Sequence, residues 1–299
     1  MTLESRPSQH RAEFGVLARI RQIVKLFAGA PWSARIGAFI VLSYAVVALF
    51  ASLVAPYGQS EVVSSIPFEP WGGSRILGTD QLGRDLLSRL IFATRNSVGL
   101  ACLATLLAFV IGSTLGIFAA VTRGWLDVLL SRLVDGVMAI PSLIFALILL
   151  SIFGSSVLNL LLIIAFLDST RVFRVARAVS MNVMAMDFVE AARLRAESFS
   201  WIASKEILPN ILPTLSAEFG LRFCYVFLTV SALSFLGLGV QPPTADLGSM
   251  VRETSTLITY GDVTPLIPAG LIALLTVSIN YVVDWFLHIS SGLKADEIA

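Results

Sequence analysis

The sequence predicts an all-α integral membrane protein with six transmembrane helices, an outer interfacial helix and an inner helical hairpin. Three observations carry this. Hydrophobic residues make up 56% of the 299 and charged residues only 14%, with a mean hydropathy of +0.84. A soluble domain uses about 25% charged residues to keep its surface wet, so most of this chain's exterior faces lipid. Next, six runs approach the roughly 20 apolar residues that a bilayer crossing needs: 36–55, 97–121, 133–153, 156–171, 214–240 and 266–288. Finally, the polar stretches between them gather into two segments, 56–96 and 172–213. The net charge of +1 excludes a nucleic-acid binder that relies on bulk positive charge.

Residues 1–35 are polar and basic without sustained periodicity, and read as a cytoplasmic tail or interfacial helix. With such a long lead and no small-x-small cleavage site close behind, the first run is a retained anchor rather than a signal peptide. It forms, with the outer amphipathic segment, a unit over 36–96. The core transmembrane domain is expected over 97–290, and a short tail at 291–299. Cys102 and Cys224 lie inside apolar runs and read as packing residues.

Orientation follows from Lys and Arg in short flanks. With the N-terminus inside, fifteen of the 21 basic residues fall on inner segments, among them Arg123, Arg132, Arg171, Arg174, Arg177, Arg193 and Arg195. Five fall outside, at Arg75, Arg84, Arg89, Arg95 and Arg252. Both termini are therefore expected in the cytoplasm.

In the outer segment, Leu82, Leu86, Leu87, Leu90 and Ile91 share one face of a helix. Asp80 is placed as its N-cap, and Asp85 and Arg89 are spaced to pair. Such a helix suits the outer interface, either steering the chain back into the membrane or meeting an external partner. The third span has one break on offer, at Pro141, and the fourth is shortened by Asp168 and Arg171. Gly112 and Gly116 have the spacing of a close helix contact.

The inner stretch 186–213 is too polar to span and too patterned for a slack loop. Asp187 and Glu190 have capping-box spacing, with Phe188, Ala191 and Ala192 following. A second short helix is expected from Ser198 or Ser200, ended by Leu208-Pro209. Phe188, Phe199, Trp201 and Ile202 either meet a protein partner or pack back on the bundle. Within the fifth span, Glu218 and Arg222 are four apart and suited to a structural pair near its inner end. Asp135, Asp168 and Asp284 are expected near span ends.

The chain resembles the transmembrane subunits of binding-protein-dependent ABC importers, and within them the second, C-type permease subunit of the dipeptide, oligopeptide and nickel group. The resemblance spans about 36–287. It is carried by Leu77-Gly78-Thr79-Asp80 with Gly83-Arg84-Asp85 and Ser88-Arg89, and by Gly124-Trp125 with Asp127, Arg132, Asp135 and Pro141. Glu190-Ala191-Ala192-Arg193, Leu208-Pro209-Asn210, Ser234 to Gly239, Gln241-Pro242-Pro243-Thr244, Gly248, Asn280 and Asp284 complete it.

That resemblance implies a type I ABC importer transmembrane domain in a bacterial inner membrane. Glu190, Ala191 and Ala192 would open a coupling helix, with Phe188, Ala196, Phe199, Leu208 and Pro209 around it, docking on a cytoplasmic ATPase subunit. Gly78, Thr79, Asp80, Gly83, Arg84 and Asp85 form the outer signature. The implied partners are a homologous permease subunit, two ATPase subunits, a periplasmic or lipid-anchored solute-binding protein and the bilayer. The cargo is a peptide or similar small polar solute. The chain lacks the phosphate-binding loop of a nucleotidase, so ATP and Mg would sit on the ATPase subunits. No catalytic residue, bound cofactor or metal is expected in it.

Three positions depart from the family pattern. Ala196 stands where glycine is usual, and if the turn there is left-handed, alanine costs about 1–2 kcal/mol and would shift or reshape the bend. Glu206 replaces a histidine or aliphatic residue. Val230 replaces a frequent acidic residue, which argues against a strongly cationic cargo. Two rival classes fit poorly. An intramembrane enzyme needs clustered His, Cys, Asp or Glu, yet the only histidines are His10 and His288. A secondary transporter or channel predicts repeated halves with paired helix breaks, and no second half matches Pro141.

Overall fold

The computed structural model describes residues 29–72 and 75–290 of the chain, and these are almost wholly helical. The first helix, α1 (Trp32–Leu49), is followed by the single turn α2 (Ala51–Val54). An irregular outer segment then leads to α3 (Leu86–Thr122), α4 (Gly124–Met138), α5 (Ser142–Phe153) and α6 (Val157–Val183). Beyond a tight turn come α7 (Asp187–Leu194) and α8 (Phe199–Trp201), which runs through a π-helical turn (Ile202–Ile207) into α9 (Leu208–Phe235). The chain closes with α10 (Leu247–Thr254), a 3₁₀ stretch (Ser255–Tyr260) and α11 (Leu266–Ser290). The predicted tails at 1–28 and 291–299 lie outside the described residues.

Among the described residues, α1, α3, the continuous Phe199–Phe235 stretch and α11 are each long and apolar enough to cross a membrane. The third predicted span is broken: α4 and α5 meet at 87° and count as one crossing only when taken together. The break falls at Pro141, whose missing N–H and restricted predecessor stop α4. The fourth expected crossing, α6, has 27 residues, but Asp168, Arg171, Arg174 and Arg177 interrupt its apolar run. Its charges are partly matched, Arg177 holding Asp127 of α4 (Nη2 to Oδ2, 2.6 Å) and Arg174 lying 3.7 Å from Asp135.

The tightest helix pair is α3 against α6. A Cβ on Gly112 would sit 2.5 Å from the Ser169 carbonyl oxygen, and one on Gly116 2.8 Å from that of Phe173. The glycine pair seen in the sequence is therefore a close contact that no larger residue allows.

Apolar packing falls into two separate clusters. The larger joins Tyr44, Leu90, Leu100, Leu167, Phe227, Leu233, Met250 and Leu275. A smaller one joins Ile117, Ala176, Val183, Val189, Ala192, Ile202, Ile207, Ile211 and Leu215.

Three local expectations need correction. The outer segment does not hold a separate amphipathic helix, since residues 86–96 are the first turns of the 37-residue α3. The N-cap is Asp85 rather than Asp80, its carboxylate accepting the Ser88 N–H at 2.8 Å. Both aspartates precede apolar residues at helical spacing, but Asp80 is already engaged by two arginines. Leu208-Pro209 does not end the second hairpin helix. The proline sits in the first positions of α9, where a missing N–H costs little, and the helix continues to Phe235.

Candidate functional site

The hairpin is built from the end of α6 onward. Met186, in extended backbone, is the N-cap of α7, and no side chain caps it. Asp187 is already helical, so the capping box expected of Asp187 and Glu190 is not formed. Both acids nonetheless lie in the first turn, where the helix dipole favours negative charge. Val189 and Ala192 turn inward and are fully buried. Asp187, Glu190, Ala191 and Leu194 share the opposite, exposed face.

The turn after α7 is a Schellman motif. The Ala196 N–H donates to the Arg193 carbonyl at 2.9 Å, and the Glu197 N–H to the Ala192 carbonyl at 3.2 Å. Ala196 holds φ +56°, the left-handed conformation that glycine adopts most readily. The bend is thus kept in its left-handed form with alanine in place, not shifted or reshaped. Ser198 then caps α8 by accepting the Trp201 N–H at 3.3 Å, as the sequence predicts for one of its two serines. Arg195 lies over the Trp201 ring at 5.7 Å, and Phe199 meets Phe118 of α3 edge-on with centroids 5.7 Å apart.

Of the expected docking residues, Phe188, Glu190, Ala191, Ala196, Phe199 and Pro209 are on the surface, whereas Ala192 is buried and Leu208 packs against the smaller cluster. Leu194 belongs to no recognised motif, yet it is 83% exposed at the end of the outer face. The spacing 187, 190, 191, 194 marks that face and could have found it. A hollow beside it is lined by Arg123, Met184, Met186, Glu190, Arg193 and Leu194.

At the other end of the molecule, all six signature residues are buried. Asp80 accepts the Arg84 Nε–H at 2.7 Å and an Arg89 Nη1–H, and Arg89 Nη1 also reaches Glu253 of α10 at 2.9 Å. Burial alone would push the Asp80 carboxyl up, but the backbone N–H groups of Arg84 and Leu82 and the Arg89 guanidinium outweigh it and hold it below the usual carboxylate range. Thr79 Oγ1 accepts the Glu69 N–H at 2.9 Å. Gly78 and Gly83 have φ of +73° and +71°, and a Cβ on either would lie about 2 Å from a carbonyl oxygen of the facing loop. The segment is a folded clasp tying the start of α3 to α10, so these side chains offer no surface to an external partner.

Residues 112–291 match the family described as binding-protein-dependent transport system inner membrane component. The chain belongs to this family. It is 35% identical over 243 residues to the di/tripeptide transport system permease protein DppC of Pseudomonas aeruginosa, covering 79% of this chain and 80% of the relative. A dipeptide transport system permease protein of Haemophilus influenzae is 31% identical over 84% of this chain and 87% of its own length. A glutathione transport system permease protein of Pectobacterium atrosepticum is 28% identical over 83% of this chain and 82% of the relative. The chain is a multi-pass membrane component of a transport system, in a family of permeases rather than enzymes.

In this permease component, polar groups also meet between α6 and α9. Arg222 Nε lies 2.7 Å from Glu218 Oε1, the expected pair, and Arg222 Nη1 lies 3.8 Å from Asp168 Oδ1 of α6. Asp168 and Arg222 sit at the middle of their helices, because α6 continues to Val183 and α9 begins at Leu208. Val230 is fully buried in the larger cluster beside Phe227 and Leu233, so an acid there would be buried among apolar side chains.

Proposed function

We propose that this chain is one half of the membrane pore of an ATP-driven importer that takes peptides delivered by a solute-binding protein, and that the α7–α8 hairpin couples it to the motor. The relatives named for di/tripeptide, dipeptide and glutathione transport support a peptide cargo. In this reading α4–α5 and α6 each complete a crossing, giving six, with both termini and the hairpin in the cytoplasm. A homologous permease subunit forms the other half, and two ATPase subunits carry ATP and Mg.

The observation that carries the reading is the rigidity of the hairpin. Its turn is closed by two backbone hydrogen bonds, its inner face is packed by Val189 and Ala192, and its second arm runs unbroken into α9. A push on the exposed face of α7 is therefore passed to the spanning helices rather than absorbed by a loop. Closure of the ATPase dimer would move the hairpins of the two permease halves and turn the cavity outward.

The test is Glu190→Lys, which reverses a charge on the exposed face without touching the buried one. In proteoliposomes holding the whole complex, peptide uptake is expected to fall at least about tenfold (~1.4 kcal/mol of coupling) while ATP hydrolysis persists. Normal uptake by that variant refutes the docking assignment.

A further inference from the structure

The hollow beside α7 is where the end of α3 meets the hairpin. It holds about 480 Å³ and carries three charged side chains, Arg123 from the α3–α4 corner and Glu190 and Arg193 from α7. All three are exposed, and among the described residues none of them forms an ion pair. Arg193 reaches the Met184 sulfur, at 3.8 Å. Neither acid of α4 is free to answer the arginines, since Asp127 is held by Arg177 at 2.6 Å and Asp135 lies 3.7 Å from Arg174. Glu197, in the turn after α7, lies 3.5 Å from Arg195. The lining therefore has two guanidiniums to one carboxylate.

Arg123 is kept at this corner in an unfavourable backbone conformation. Its φ is +52° and its ψ −171°, a combination that glycine almost alone adopts. Glycine itself follows at 124, with φ +72°. A corner that only had to redirect the chain would be served better by glycine at both positions, so the retained arginine points to a use for its side chain. Around the charges the lining is apolar, from Met184, Met186 and Leu194, of which Met186 is 48% and Leu194 83% exposed. Arginine and methionine around a concavity, with apolar side chains left in water, make the composition of a protein contact rather than of a solvated face.

Resting on the docking of α7 proposed above, we propose that Arg123 is a second grip for the motor: with Arg193 it receives a carboxylate side chain of the ATPase subunit in this hollow. The planar fork of a guanidinium offers a carboxylate two parallel N–H donors, and Glu190 remains for a basic group of the same partner. The consequence is mechanical. Arg123 follows directly on Thr122, the last residue of α3. A motor that holds it moves that spanning helix by its end, and not only through the packed face of α7.

The experiment uses the assembled complex in proteoliposomes. Arg123→Lys puts an amine where the guanidinium was, and a carbodiimide, taking up the water released, condenses that amine with a touching carboxylate to an amide. Peptide mapping is expected to find position 123 joined to an acidic residue of the ATPase subunit. A join confined to this chain or to lipid, or none at position 123, overturns the proposal. Photoreactive p-benzoylphenylalanine placed at Leu194, on the exposed face of α7, is read beside it. Attachment to the ATPase there, with no join at 123, leaves the docking of α7 standing and removes only the second grip. Attachment at neither position removes both.

A second measurement separates charge from backbone. Arg123→Gln is expected to weaken retention of the ATPase by the solubilised permease pair about fivefold at about 0.1 M NaCl. The difference should close at about 1 M, where the screening length falls to roughly 3 Å. Arg123→Gly suits the corner better than arginine and is expected to lose as much, so that the loss cannot come from a disturbed turn. Unchanged retention in Arg123→Gly, or a loss in Arg123→Gln that salt does not alter, overturns the proposal.

Discussion

Replacing Ala196 with glycine should stiffen the hairpin. Ala196 sits at φ +56°, where the Cβ of an L-residue crowds the backbone at a cost of about 1–2 kcal/mol. Glycine removes that contact but adds freedom to the opened turn, which costs about 0.4–1 kcal/mol. The net gain expected for Ala196→Gly is therefore about 1 kcal/mol, roughly a fivefold smaller population of the opened turn. The readout is local: the amides of Ala196 and Glu197 donate the two bonds that close the turn. Their hydrogen exchange in the assembled, solubilised complex should slow about fivefold in Ala196→Gly. In Ala196→Val it should quicken, because a β-branched residue fits this region least well. Unchanged or faster exchange in the glycine variant would show that the turn carries no strain and would refute the reasoning.

Three further outcomes follow from the outer clasp and its surroundings. Arg89→Ala leaves Arg84 as the guanidinium beside Asp80 and Glu253 and removes the Arg89 hydrogen bonds to both, which should cost about 1.5–3 kcal/mol, seen as an earlier thermal transition in detergent, with Arg89→Lys intermediate. Gly83→Ala places a Cβ 2.1 Å from the Ser64 carbonyl oxygen and should open the segment 56–85 to limited proteolysis while α7–α9 remains protected. Asp246 is fully buried, accepting from Ser97 Oγ at 2.7 Å and the Ser249 N–H at 3.0 Å, and burial pushes its carboxyl up. A raised carboxyl stabilises the fold most below its unfolded pKa of about 3.9 and loses that contribution as pH rises through the folded value. Asp246→Asn, whose amide can still serve both partners, should therefore gain in thermal midpoint over wild type as pH is raised, and a difference independent of pH contradicts this.

What was legible in the sequence was what short-range physics decides. Apolar length gave four of the six expected spans, and a fifth when α4 and α5 are taken together; Pro141 gave the break in the third, Gly112 and Gly116 gave the close approach of α3 to α6, and Ser198 gave a helix start. What was not legible depended on partners distant in the chain. Asp80 and Asp85 are equally good N-caps locally, and only Arg89 and Glu253, brought together by α3 and α10, assign the first to the ion network and the second to the cap. Asp168 looked like the end of a short span because its charge counts against a lipid-facing helix. Near Arg222, it lies in the middle of the 27-residue helix α6. Leu194 carries no motif of its own, and its exposure follows from the Schellman turn just beyond it.

If the hairpin couples to a motor as proposed, the division of the core into two clusters supplies a way for it to act on the whole subunit. Val189 and Ala192 pack in one cluster with Ile117 of α3, Ala176 and Val183 of α6, and Ile207, Ile211 and Leu215 of the π turn and α9. Displacement of α7 must therefore carry the inner ends of three spanning helices as one body, since interdigitated apolar side chains do not slide independently. The outer halves of the same helices belong to the other cluster and are further pinned by the clasp through Asp80, Arg89 and Glu253. Relative motion of these two bodies has to be taken up between them, at residues 168–175 and 216–225. There the ion pairs of Arg222 and the close approaches of Gly112 and Gly116 to backbone interrupt the apolar packing of Val172, Phe173, Ala217 and Cys224. Contacts of the first two kinds re-form after a shift at less cost than a continuous apolar core.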